Sequence, residues 1–230
     1  MNFIEGEVIA INKDVDWTSF DVVNKIRYLL KKKYNLKKIK VGHAGTLDPK
    51  ATGVVIVCTG KKTKQINSFV SDKKEYIAVI KLGETTPSFD RETEPDKFFK
   101  TEHITSEKIK DTIKSFIGIQ QQIPPMYSAI HINGKRAYEI ARQGGSVEIK
   151  PREIEIFNIE ILEENIPELK IKITCSKGTY IRALARDIGT KLDSGAYMTS
   201  LIRTASGNYN INDAITIKEF ENKINNLNIE

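Results

Sequence analysis

One aspartate stands in a setting suited to chemistry. Asp48 lies within residues 42–53, a stretch that carries three glycines, His43 and Pro49. Glycine permits tight turns and close approach of the backbone to a ligand, and proline holds the preceding residue in an extended conformation. We interpret the stretch as a loop that presents one carboxylate to a substrate. The alternative is an ordinary turn, which is the commoner role of an aspartate in such a loop.

Residues 176–182 supply a candidate partner for that carboxylate. A strand is expected to end there, a glycine turns the chain, and a helix begins. Arg182 and Arg186 are four residues apart and therefore share one helix face. A guanidinium fixed near a helix start suits a carboxylate or a phosphate. The alternative is a surface ion pair of Arg186 with Asp187 or Asp193.

Two further side chains have open interpretations. Tyr76 begins an apolar run that reads as a strand, so it is either a core residue or a platform on which a base stacks. His43 is either part of a site or merely solvated.

The three histidines and two cysteines are isolated in sequence, so we expect no metal site. A P-loop is excluded because six residues separate Gly53 from Gly60, where the nucleotide motif needs four.

Composition limits the class of partner. The chain has 230 residues, 40% of them hydrophobic, and a net charge of +6. This charge favours a polyanion such as nucleic acid, with a lysine-rich surface that serves only solubility as the alternative. No apolar run approaches membrane-spanning length, and no signal sequence is evident. Cys58 and Cys175 lie in apolar runs and read as buried thiols, so we expect a cytoplasmic protein.

The elements that must position these residues mix helices and strands. Strands are predicted at 7–12, 54–58, 75–82, 152–163 and 168–175, and helices from Thr18 or Ser19, at 66–70, 105–117, 134–142 and 179–191, and from a capping box at Thr216 and Glu219. The acidic run 90–94 reads as a solvated loop. The pattern predicts an α+β fold around a mixed, mostly antiparallel sheet flanked by helices and loops.

Residues 42–53, Gly-His-Ala-Gly-Thr-Leu-Asp-Pro-Lys-Ala-Thr-Gly, resemble the signature of the tRNA pseudouridine synthase B family. Further motifs of that family are resembled by Lys74-Glu75-Tyr76 with Asp90, by 124–129 (Pro-Pro-Met-Tyr-Ser-Ala), by 176–182 (Ser-Lys-Gly-Thr-Tyr-Ile-Arg), and by Leu201, Arg203, Thr204 and Gly207. The resemblance spans roughly residues 6–220. It departs from the family near Lys13, where Asp14 and Asp16 replace a proline and a glycine.

The resemblance implies roles for individual residues. Asp48 would be the catalytic nucleophile, Arg182 would pair with its carboxylate, and Tyr76 would stack on the target base and assist proton transfer. The substrate-binding residues would be His43, Lys64, Tyr180 and Leu201. No cofactor is implied, because the reaction oxidises nothing, and no metal.

The resemblance also implies the activity and the partner. The enzyme would isomerise uridine 55 in the T-loop of tRNA by flipping the base out of its stack, as a cytoplasmic monomer without contact to a membrane. Residues 1–230 would form one catalytic domain, with about 120–152 as an insertion that closes over RNA, and a C-terminal PUA-type domain would be absent. The alternatives are a non-catalytic RNA-binding or RNA-folding module, and a hydrolase that would need a second acid from the 90–94 run.

Overall fold

The computed structural model describes residues 2–70, 73–132 and 134–227. The chain divides into two compact units, Met1–Tyr76 with Leu201–Glu230, and Ile77–Ser200. In chain order the strands are β1 (Val8–Lys13), β2 (Val41–Ala44), β3 (Thr52–Thr59), β4 (Lys74–Leu82), β5 (Glu84–Thr85), β6 (Lys97–Phe98), β7 (Gly118–Gln122), β8 (His131–Ile132), β9 (Lys135–Arg136), β10 (Arg152–Asn165), β11 (Glu168–Cys175), β12 (Ala196–Ser206) and β13 (Tyr209–Asn210). The α-helices are α1 (Ser19–Lys33), α2 (Ile66–Val70), α3 (Ser106–Lys114), α4 (Ala137–Arg142), α5 (Ile181–Lys191) and α6 (Ile217–Asn225).

The first unit is organised around β3, which is buried from Gly53 to Thr59. Along one edge β3 pairs antiparallel with β1. Along the other edge it pairs antiparallel with β2 near its end and parallel with β12 at its start. A continuous apolar strand is expected where both neighbours and both faces are covered. The sheet is therefore mixed, as the sequence predicts.

Local signals placed the helix starts of this unit correctly. Thr18 caps α1 in a capping box with Asp21, and Thr216 caps α6 in a capping box with Glu219. Each cap satisfies backbone N–H groups that the first helical turn leaves without partners. The two helices contact each other. The predicted caps are thus confirmed.

The second unit carries a sheet in which β4, β11, β10 and β7 are neighbours in that order. β10 and β11 form a long hairpin, and β7 pairs antiparallel with the start of β10. Every second residue of β4 is buried, which is the pattern of a strand with one face in the core. The α+β prediction is confirmed by this combination of mixed sheet and flanking helices.

Two predictions of local structure need correction, and one long strand lies outside the predicted elements. The long strand β12 was not predicted, since its apolar residues do not alternate with polar ones. The helix expected from residue 134 begins only at Ala137, because residues 135–136 form β9. Residues 42–44 are not loop but part of β2. Among the described residues, no helix is long and apolar enough to cross a membrane.

Candidate active site

Asp48 lies on the turn that joins β2 to β3. Its carbonyl oxygen accepts a hydrogen bond from the amide of Ala51 (3.1 Å), which closes the turn over Pro49. The side chain of Asp48 is half-buried. The predicted loop 42–53 is therefore shorter than expected, because His43 pairs with Val57 in the sheet and residues 52–53 already belong to β3. The carboxylate is presented from a short, closed connection between two strands.

The guanidinium of Arg203 fixes both ends of this connection. Arg203 is 1% exposed, and it donates to the carbonyl oxygens of Gly45 (3.1 Å), Thr46 (3.3 Å) and Val54 (2.6 Å). Arginine suits this task because its planar fork carries several donors in a fixed geometry. One buried side chain thus bonds carbonyl groups before and after Asp48, so the backbone on either side of Asp48 is held in place.

Lys13 holds the same turn from β1. Its side chain is fully buried, and its Nζ donates to the carbonyl oxygens of Asp14 (2.8 Å), Trp17 (2.7 Å) and Pro49 (3.2 Å). Burial lowers the pKa of Lys13 to about 8, while the nearby carboxylate of Asp48 acts in the opposite direction. A cation and the candidate nucleophile are thus electrostatically coupled at one turn.

The first residue of α1 makes a third attachment. The amide of Leu47 donates to Ser19 Oγ (2.8 Å), and that hydroxyl donates to the carbonyl oxygen of Leu47 (3.2 Å). The connection before Asp48 is therefore tied to a helix start as well as to two strands. Sequence reasoning found Lys13 and Arg203 only as members of family motifs. The contacts of Lys13 with Pro49 and of Arg203 with Gly45 join residues far apart in the chain, so no local pattern could reveal them.

The departure at Asp16 does not disturb this arrangement. Asp16 has φ +66°, a left-handed conformation that glycine adopts without strain and that aspartate tolerates better than most residues. Its amide donates to the carbonyl oxygen of Pro49 (2.8 Å), and its carboxylate pairs with Lys50 (2.7 Å). The loop keeps the shape that a glycine would permit.

Two more predicted site residues lie on strands beside the start of β3. The parallel register sets Ile202 of β12 opposite Thr52, so the buried Leu201 lies at the level of the turn. β4 is the next strand, and the Thr204 hydroxyl donates to the carboxylate of Glu75 (2.7 Å), the residue before Tyr76. The Asp48 turn, the middle of β12 with Leu201, and the start of β4 with Tyr76 therefore lie on three neighbouring strands. Tyr76 is 8% exposed.

His43 and Lys64 belong to the same unit but differ in setting. His43 is half-buried on β2, and its pKa is lowered by burial and by the charge of Arg203, against an opposing contribution from the Gly45 backbone. Lys64 is exposed on the 3₁₀ helix Gly60–Gln65, which follows β3. An exposed lysine there can meet a phosphate, and its role in substrate binding stays a prediction.

Arg182 and Tyr180 lie in the second unit. Arg182 is buried in the first turn of α5, with its Nε 3.4 Å from Asp90 Oδ2, and it donates to the carbonyl oxygens of Ser88 (3.3 Å) and Tyr127 (3.0 Å). Its pairing with Asp48 stays a prediction. Tyr180 is the N-cap residue of α5.

Asp90 corrects an expectation about the acidic run. It is 4% exposed, and its Oδ1 accepts hydrogen bonds from Ser88 Oγ (2.7 Å) and from the amide of Glu92 (2.8 Å). The prediction of a solvated loop is therefore wrong for Asp90. A buried carboxylate needs such partners and a counter-ion, and Arg182 supplies the latter. The expected alternative for Arg186 is confirmed, since it pairs with Asp187 at 2.7 Å.

The described residues contain no cluster of metal-ligand side chains. Among residues 2–70, 73–132 and 134–227, no three histidine, cysteine, aspartate or glutamate side chains come together as metal ligands. Cys58 and Cys175 are buried, as predicted, and burial raises the pKa of the Cys58 thiol to about 11. The ammonium of Lys13, the guanidinium of Arg203 and the hydroxyl of Ser19 hold the backbone around Asp48, whose carboxylate is of the type that can act as a nucleophile.

Comparison with known proteins defines the class. Residues 31–181 match the family model described as "TruB family pseudouridylate synthase (N terminal domain)", and residues 182–228 match "tRNA pseudouridylate synthase B C-terminal domain". Among solved structures, a Cbf5–Nop10–Gar1 complex superposes with a TM-score of 0.71 at 29% identity. An H/ACA RNP bound to a substrate RNA containing 2'-deoxyuridine gives 0.68 at 28% identity. The fold is that of the pseudouridine synthases.

Curated relatives narrow the class to one family. The tRNA pseudouridine synthase B of Phocaeicola vulgatus is 55% identical over 230 residues, covering 100% of this chain and 98% of the relative. That of Bacteroides fragilis is 54% identical and covers 100% and 99%. The matches to the two solved structures cover 96% of this chain but only 53% and 54% of the chains in those structures. It belongs to the TruB family of tRNA pseudouridine synthases.

Proposed function

We propose that this enzyme converts uridine 55 in the T-loop of tRNA to pseudouridine, with Asp48 as nucleophile. The observation that carries the proposal is the fixation of the Asp48 turn by Arg203, Lys13 and Ser19. A group that attacks a nucleoside must be held in a productive geometry before the substrate arrives. The family signature supports the same assignment, because it is centred on this turn.

The reaction needs few parts, and the chain has candidates for each. The N1–C1′ bond breaks, the uracil turns within the site, a C5–C1′ bond forms, and the proton on C5 is lost while N1 gains one. An aspartate carboxylate serves either as nucleophile at C1′ or by addition at C6. Tyr76 supplies a ring against which the flipped base stacks and a hydroxyl near the C5 proton. Arg182 is the partner proposed for the Asp48 carboxylate.

The remaining roles concern the RNA. Lys64 and other exposed lysines contact phosphates of the T-arm, and His43 supports the T-loop with its target base flipped out. Burial and the charge of Arg203 lower the pKa of His43, so it meets the RNA as a neutral donor and acceptor near pH 7. Leu201 packs beside the site from β12, and Tyr180 contacts the target nucleoside. We propose that the enzyme works as a cytoplasmic monomer.

Tritium release provides the test. A T-arm RNA carries C5-tritiated uridine at position 55 only, and the wild type, Asp48→Asn and Asp14→Asn are compared. Asp14 is an exposed acid of the neighbouring loop, so its variant controls for a change of charge. We expect release with the wild type and Asp14→Asn, none with Asp48→Asn, and RNA binding by all three.

Other outcomes identify the alternatives. Release by Asp48→Asn at the wild-type rate would overturn the assignment of the nucleophile. Cleaved RNA would indicate a hydrolase, and binding without release by the wild type would indicate an RNA-folding module. Release that persists when the label is moved to another uridine of the T-arm would contradict specificity for position 55.

A further inference from the structure

Tyr180 is held at its backbone by one side chain. The amide of Tyr180 donates to Gln122 Oε1 (2.8 Å), and Gln122 Nε2 donates to the carbonyl oxygen of Tyr180 (3.1 Å). Gln122 is 2% exposed at the end of β7. Its primary amide thus makes the two hydrogen bonds that a neighbouring strand would offer. The peptide that precedes α5 is fixed in place although the cap residue makes no side-chain capping bond.

A second side chain holds the ring. The guanidinium carbon of Arg152 lies 4.4 Å from the centroid of the Tyr180 ring, within the range of a stacked cation–π contact. One terminal nitrogen of Arg152 also donates to the carbonyl oxygen of Gly178, which anchors the guanidinium two residues before the tyrosine. Within the described part of the chain, the buried Nε of Arg152 makes no hydrogen bond. The group is therefore placed for stacking at the cost of one donor.

We propose that Gln122 and Arg152 are positioning residues that fix the ring of Tyr180 in one orientation for the reaction. Arg152 covers one ring face and leaves the opposite face and the hydroxyl for the target nucleoside. The inference rests on the proposed function, which makes Tyr180 a substrate contact. A ring fixed before binding lowers the ordering cost that the RNA must otherwise meet. Arg182 follows two residues later, so the same clamp sets the start of the helix that carries it.

The first test needs no RNA. The enzyme carries 3-fluorotyrosine at position 180, and its ¹⁹F spectrum is compared with those of Arg152→Met and Arg142→Met. Arg142 stacks on Tyr138 at 5.4 Å and controls for loss of an arginine from a ring. We expect one narrow resonance in the parent enzyme, a shifted and broadened one with Arg152→Met, and no change with Arg142→Met. An unchanged resonance with Arg152→Met would overturn the proposal.

The second test follows the reaction with enzyme in excess over T-arm RNA. Arg152→Met and Gln122→Leu should each slow a single turnover roughly tenfold while RNA affinity changes by less than about twofold, because they act on orientation and not on binding. Arg152→Lys should restore part of the rate by returning a cation to the ring. In a Tyr180→Ala background Arg152→Met should have no further effect, since interacting residues are not additive.

The outcomes separate the possibilities. Losses that multiply with Tyr180→Ala would show that Arg152 does not act through the ring. A loss confined to RNA affinity, with a shallower salt dependence, would make Arg152 a phosphate contact and overturn the proposal. A wild type that forms no pseudouridine would refute the proposed function alone, because the ¹⁹F comparison is independent of the reaction.

Discussion

The guanidinium of Arg203 donates a hydrogen bond to the carbonyl oxygen of Gly45 (3.1 Å), across 158 positions of sequence. This contact ties β12 to the connection that carries Asp48. The same guanidinium bonds two more carbonyl groups of that connection and of β3. The placement of the Asp48 turn therefore depends on a buried side chain that is distant from it in sequence.

Removal of Arg203 should damage stability and activity together. Arg203→Met removes three hydrogen bonds to backbone carbonyl oxygens from a side chain that is 1% exposed, so we expect the free energy of unfolding to fall by about 3 kcal/mol. Arg203→Lys keeps the charge but not the fork and should also lose stability. Urea titration measures the change. Arg27→Met removes one bond to a backbone carbonyl of the same unit and should cost clearly less.

Gly53 tests how closely β12 approaches the start of β3. Gly53 has φ +104°. A Cβ added there would lie 2.8 Å from the backbone nitrogen of Arg203 and closer still to the carbonyl oxygen of Arg203. Gly118 has φ +105° but nothing within 4 Å of an added Cβ. We expect Gly118→Ala to cost about 1 kcal/mol through backbone strain and Gly53→Ala to cost at least about 2 kcal/mol more. If urea denaturation shows equal losses of unfolding free energy for the two variants, backbone strain alone accounts for the cost, and the close approach of β12 contributes nothing.

The sequence predicts those features of the fold that depend on neighbouring residues. The caps at Thr18 and Thr216 follow from side chains three positions away, and the alternating strand β4 follows from its period. The strand β12 is not predicted because apolar and polar residues do not alternate regularly along it. The prediction that Asp90 is solvent-exposed is wrong because it rests on the acidic residues near Asp90 in the sequence. The buried partner of Asp90, Arg182, lies 92 positions later in the chain. Motif resemblance supplied the candidate site residues, and the contacts that hold them required the structure.

Lys13 should make the free energy of unfolding depend on pH in the alkaline range. Burial lowers its pKa from 10.5 to about 8. Between those values the unfolded chain holds the proton and the folded chain does not, so the free energy of unfolding should rise with pH across this window and level off outside it. Urea titrations from pH 7.5 to 10.5 measure the rise. It should be absent from Lys13→Met and present in Lys50→Met, which removes an exposed lysine. A titration of Lys13 above pH 10 by NMR would contradict this expectation.

Removing one partner of the buried pair of Asp90 and Arg182 should lower the free energy of unfolding far more than removing one partner of an exposed pair. Their side chains are 6% and 4% exposed, and Asp90→Asn would leave the guanidinium without that counter-ion in the interior. We expect the free energy of unfolding to fall by about 3 kcal/mol. Glu92→Gln, which breaks an exposed pair with Arg142, should cost less than about 1 kcal/mol.

A double-mutant cycle distinguishes an ion pair from simple loss of packing. With Arg182→Met already in place, Asp90→Asn should cost much less than it does alone, because no guanidinium remains to be left unpaired. Activity adds a second readout. If Asp90 acts by holding Arg182, Asp90→Asn should slow a single turnover and leave RNA affinity nearly unchanged. Additive losses of stability with unaltered turnover would show that the two side chains are buried side by side without depending on each other.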